Sequence, residues 1–70
     1  MEVKWVDGYE ICVTIDNGAA IIKANREGLL SLATQLAMMA TEAPGTHIHY
    51  DDQTSLEEGS AEMIIEKSDS

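Results

Sequence analysis

Cations are scarce in this 70-residue chain. Four Lys and Arg stand against 13 Asp and Glu, which leaves a formal charge of −9 at pH 7. A surface of that sign repels nucleic acid and anionic membrane and attracts basic partners, so neither DNA, RNA nor a lipid surface is the expected ligand. Cysteine is scarcer still. Cys12 stands alone, which excludes the internal disulfide framework that small secreted domains ordinarily need. The opening MEVKWVDGYE lacks a basic stretch leading into an apolar run, so it does not read as a signal peptide. No apolar run approaches the ~20 residues of a membrane span. The expectation is a reduced, cytoplasmic protein. Gly-rich phosphate loops of the GxGxxG or Walker type are missing too, and with them the usual signature of nucleotide binding.

What is present is a 44% share of hydrophobic residues, too high for a disordered chain. Seventy residues lie near the lower limit for a self-sufficient core. The expectation is a single domain, residues 1–70, for which dimerisation is one way of burying more surface. No internal repeat or linker divides it.

The longest periodic stretch is NREGLLSLATQLAMMATE, residues Asn25–Glu42. At about 100° per residue, Leu29, Leu32, Ala33, Leu36, Ala37, Met39, Ala40 and Ala43 share one arc. Glu27, Ser31, Thr34, Gln35, Thr41 and Glu42 share the other. Asn25 is the expected N-cap, Glu27 favours the positive end of the helix dipole, and Pro44-Gly45 stops the helix.

Around it, alternation predicts strands. Residues 2–6 form a short one. Residues 9–15 set Tyr9, Ile11, Val13 and Ile15 against Glu10, Cys12 and Thr14, the period of a half-buried strand. Asn17-Gly18 predicts a tight hairpin that pairs Asp16 with Ala19, Ile15 with Ala20, Val13 with Ile22 and Ile11 with Ala24. A three-residue loop at Val6-Asp7-Gly8, with Gly8 left-handed, sets Val3 opposite Ile11 and Trp5 opposite Tyr9. Thr46–Asp51 turns Ile48 and Tyr50 inwards. Leu56 anchors the polar loop after it. Ser60–Lys67 is the last strand, with Ala61, Met63 and Ile65 inwards. The expected fold is α+β: an antiparallel sheet of about five strands, in the order βββαββ, with one helix on one face. The other face then meets water or a partner. It carries Cys12, Thr14, Ile21, Lys23, His47, His49, Glu62, Ile64 and Glu66. Ile21 and Ile64 are exposed apolar residues of the kind that mark an interface, and Met38 is a further candidate contact on the helix.

The sharpest local pattern is His47-Ile48-His49 with Asp51. Alternate residues of a strand share a face, so two imidazoles and a carboxylate line up, a ligand set used by zinc and non-haem iron. An HxH pair is short, and the simpler reading pairs these histidines with Glu62 or Glu66 across the sheet. No cofactor is expected. Cys12 has Glu10 nearby and no activating base, so it reads as an inert thiol. Asp51-Asp52 and Glu57-Glu58 read as solvated loop charge rather than a catalytic pair.

The runs REGLLSLATQLAMMA, THIHYDD and SLEEGSAEMIIEK carry a resemblance. A Glu-Gly-Leu-Leu-x-Leu-Ala helix start is present as Glu27, Gly28, Leu29, Leu30, Leu32 and Ala33. A His-x-His-x-Asp strand is present as His47, His49 and Asp51. A Leu-x-x-Gly-Ser-x-Glu-hydrophobic ending is present as Leu56, Gly59, Ser60, Glu62, Ile64 and Ile65. Over residues 18–67 the chain resembles the polymorphic-toxin immunity family numbered thirty-two, although Thr34-Gln35 stands where members commonly carry a longer polar residue or His. The resemblance implies a non-enzymatic acidic protein that binds and neutralises a cognate bacterial toxin, basic in character. The face bearing His47, His49, Asp51, Glu62, Ile64 and Glu66 is the expected partner surface. Two other readings stay open: a small metal-binding module at His47, His49 and Asp51, and a dimerising structural or regulatory subunit joined through Met38 or the open sheet.

Overall fold

The computed structural model describes residues 1–70. Its elements run β1 (Ile11–Asp16), β2 (Ala19–Ala24), α1 (Arg26–Met39), β3 (His47–Tyr50) and β4 (Met63–Glu66). No helix is long and apolar enough to cross a membrane.

The β1–β2 hairpin follows the expected register, Ile11↔Ala24, Val13↔Ile22 and Ile15↔Ala20. Its turn residues Asn17 and Gly18 both have positive φ, +54° and +83°, which gives the turn a twist matching that of the strands. β3 and β4 are also antiparallel, with His47↔Glu66, Ile48↔Ile65, His49↔Ile64 and Tyr50↔Met63.

The α+β class holds, but the single five-stranded sheet does not: there are two separate sheets of two strands. Residues 2–6 lie in no ladder. The turn before β1 does form, with Gly8 at φ +83°, Tyr9 N–H donating to Val6 O, and Trp5 stacked on Tyr9 at 4.3 Å. The backbone beyond it binds the helix instead of a strand. Val6 N–H donates to Ser31 Oγ at 2.8 Å, and Gln35 Nε2 donates to Lys4 O at 2.8 Å. The second edge of β1 is likewise taken by irregular chain. Glu57 N–H donates to Ile11 O and Ala61 N–H to Val13 O, while Val13 N–H donates to Ser60 Oγ.

Helix α1 starts at the expected cap. Asn25 Oδ1 accepts from Gly28 N–H at 2.8 Å and also from Glu10 N–H, and Asn25 Nδ2 donates to Gly8 O. One side chain thus fixes the helix start to the entry of β1. The helix ends at Met39, three residues before the expected Glu42. Thr41 Oγ1 donates to Met38 O, a local competitor for a helical acceptor.

The helix face differs from the expected one. Gly28, Ser31, Leu32, Gln35 and Met39 are buried, whereas Leu29, Leu30 and Leu36 are exposed and Met38 is half-buried. Ser31 and Gln35 are buried because they satisfy backbone groups of the amino-terminal segment, which would otherwise lose water without a partner. The remaining core is Ile11, Val13, Ile48, Tyr50 and Leu56 with Leu32 and Met39.

Candidate functional site

Alternation on β3 buries Ile48 and Tyr50 and turns His47 and His49 to solvent. On β4 it leaves Ile64 and Glu66 exposed while Met63 and Ile65 are half-buried. The register then sets His47 beside Glu66 and His49 beside Ile64. His49 Nδ1 lies 3.6 Å from Glu62 Oε2, and the two imidazoles meet edge to face with centroids 5.0 Å apart. Ile64 keeps 51% of its surface. Five of the six expected surface residues, His47, His49, Glu62, Ile64 and Glu66, therefore lie on one solvent-facing patch: an isoleucine, two imidazoles and two carboxylates.

Asp51 stands at the end of that patch but serves the loop. Its Oδ1 accepts from Gln53 N–H, Thr54 N–H and Thr54 Oγ1. The Thr54 hydroxyl, chiefly, holds its carboxyl below the usual aspartate range. His47 Nδ1 lies 3.0 Å from Gly45 O. No group of three or more His, Cys, Asp or Glu side chains is placed to hold a metal ion. Of the three residues of the HxH-Asp pattern, His49 alone brings a ring nitrogen close to a glutamate carboxylate, that of Glu62.

Cys12 is free and half-buried. It lines a depression of about 340 Å³ with Glu10, Ile11, Lys23, Ala24, Asn25 and Glu57, on the other sheet from the His-bearing patch.

Four further exposed apolar residues were not anticipated. Ile15, Ile22, Leu29 and Leu36 are 63%, 46%, 56% and 48% exposed. Ile15 and Ile22 lie on the same face of the hairpin as the buried Ile11 and Val13. A signal was available in the surplus of apolar residues on α1, where leucines and alanines occupy more of the circumference than one packing stripe uses.

No curated protein and no solved structure matches the chain. The model of one family, described as Immunity protein 32, matches residues 20–68. That span is more than half of the chain and contains both histidines, Glu62, Ile64 and Glu66, and the chain belongs to the Immunity protein 32 family.

Proposed function

We propose that this chain is a non-enzymatic, cytoplasmic inhibitor that neutralises a cognate basic toxin by covering it with the outer face of β3–β4. Family membership supports an immunity role in general. The observation that carries the finer reading is the composition of that face. Ile64 is its apolar centre, His47 and His49 flank it, and Glu62 and Glu66 form an acidic margin. An apolar centre with a polar margin is the usual anatomy of a protein interface. The charge of −9 draws a cationic partner inwards and raises the rate of encounter. Glu66 has no basic partner within the chain, and Glu62 has only the His49 imidazole, 3.6 Å away.

The test is to identify a toxin domain encoded next to this chain's gene and titrate the chain against it by calorimetry, with inhibition read in parallel. Glu62→Lys combined with Glu66→Lys weakens binding at least about tenfold, mainly through slower association, and flattens its dependence on salt. Ile64→Ala speeds dissociation. Unchanged affinity in both variants, with the fold intact by circular dichroism, removes this face as the interface. Absence of any complex with the adjacent toxin removes the inhibitor reading itself.

A further inference from the structure

The backbone bonding of the first hairpin leaves one strand edge open. Ile11 and Val13 turn their backbone groups away from β2 and towards residues 57–61. In the register Ile11↔Ala24 and Val13↔Ile22, these are therefore the non-hydrogen-bonded pairs of the ladder. The same alternation turns the N–H and C=O of Ala20, Ile22 and Ala24 outwards, along the side of β2 that faces no other strand. The edge has no proline, and Lys23 is its single charged side chain. Both of its isoleucines, Ile21 and Ile22, are exposed.

We infer that β2 pairs with β2 of a second copy of this chain, antiparallel about a two-fold axis through Ile22, making one four-stranded sheet. This surface is distinct from the β3–β4 face and does not depend on the toxin reading. Register follows from the outward groups. With Ile22 opposite Ile22, Ala20 lies opposite Ala24 of the second copy, and each of these residues both donates and accepts across the join. At the join, the inner-face side chains of the two β2 strands are Ala20, Ile22 and Ala24. On the outer face Lys23 lies opposite Ile21 of the second copy, where its methylene stem packs and its ammonium stays in water. A centre shifted to Ile21 aligns fewer of the outward groups.

Charge selects a second copy over the basic toxin as the occupant. Asn17–Arg26 contains no acid and two of the four cations, Lys23 and Arg26, so this is the stretch least attractive to a cation. It is also the place where two chains of charge −9 meet with least repulsion. Residues Gly28–Thr41 carry no charge at all, and the exposed Leu29 and Leu36 follow directly from β2 along α1. The two-fold axis sets the helices of the two copies on the same side of the joined sheet, the side on which Ile15 and Ile22 lie.

Light scattering and sedimentation of the full chain, alone and at high micromolar concentration, test this. The expected result is a dimer that Ile22→Lys converts to monomer, with the dissociation constant raised at least about tenfold and the far-ultraviolet spectrum unchanged. In a Cys12→Ser background, Ile22→Cys forms a disulfide-linked dimer under mild oxidation, and Ile64→Cys does not. A chain that stays monomeric throughout the concentration series overturns the proposal, even if β2 later proves to pair with a toxin. So does a dimer that survives Ile22→Lys and does not cross-link through Ile22→Cys. Toxin binding by the Ile22→Lys monomer is expected to persist, which separates a failure here from a failure of the inhibitor reading.

Discussion

Tyr50 retains none of its surface, and its hydroxyl donates to Gln35 Oε1 at 2.6 Å. Gln35 in turn donates to Lys4 O. A strand, the helix and the amino-terminal segment are thus joined by one buried amide, each end of which costs about 1–3 kcal/mol if left without its partner. Burial also raises the pKa of Tyr50 above its ordinary value, because the phenolate loses its hydration in the interior. The neutral phenol is then the form that the fold favours. Its contribution is complete below the unfolded pKa of about 10 and is lost as pH rises from there through the higher folded value. Urea titrations at increasing pH should show stability falling above about pH 10, and Tyr50→Phe should flatten that slope while costing about 1–2 kcal/mol at neutral pH. Equal alkaline slopes for both proteins would show that Tyr50 is not the responsible group. Asp51 has the opposite sign: with its carboxyl held low chiefly by Thr54, its contribution exists above about pH 4 and fades as pH falls.

Among the elements, the decisive contact is between the first turn of α1 and the end of the β1–β2 hairpin. A Cβ on Gly28 would lie 2.6 Å from Glu10 O, 2.9 Å from Ile11 Cγ1 and 3.0 Å from Ala24 Cβ. The nearest of these is backbone, which cannot step aside as a flexible side chain can. In an open helix, alanine for glycine stabilises by up to about 1 kcal/mol. Here overpacking outweighs that, and Gly28→Ala is expected to destabilise by about 1–3 kcal/mol. The urea midpoint should fall with an unchanged slope. A rise in midpoint would mean that the helix can lift from the hairpin without loss. Asn25 acts on the same junction by tying the helix cap to Gly8 and Glu10, so the helix and hairpin hold each other in place.

At the scale of the whole molecule, charge and a small core pull in opposite directions. Thirteen acids against four Lys and Arg repel one another, and the exposed ion pairs return little. Seven buried hydrophobic side chains must offset this. Added salt screens the repulsion, since the Debye length contracts from about 30 Å at 0.01 M to about 3 Å at 1 M. Thermal melts should therefore move upwards with sodium chloride, by about 4–8 °C for each 1 kcal/mol of repulsion relieved. A melting temperature that falls with salt would mean that attractive pairs dominate the surface. Self-association through β2 would strengthen in the same direction, because the two copies carry the same sign. Toxin binding through Glu62 and Glu66 would weaken, because there the signs are opposite.

Local rules made much of the chain legible. Period-two alternation and Asn17-Gly18 determined the register of β1 and β2 residue by residue, because a hairpin with a two-residue turn has few alternatives. Alternation also determined which side of β3 and β4 His47, His49, Ile64 and Glu66 would take, and the Asn25 side chain determined where the helix begins. The three contiguous motifs were enough to show the family resemblance. Tertiary structure alone decided how these pieces share their edges. Residues 2–6 have the composition of a strand, yet Ser31 and Gln35 on the helix claim their backbone groups, and residues 57–61 claim the edge of β1. Those are bonds between parts of the chain far apart in sequence, which no local periodicity encodes. The same bonds buried two polar residues on α1 and turned Leu29 and Leu36 outwards, so the surface left for partners was settled by packing rather than by pattern.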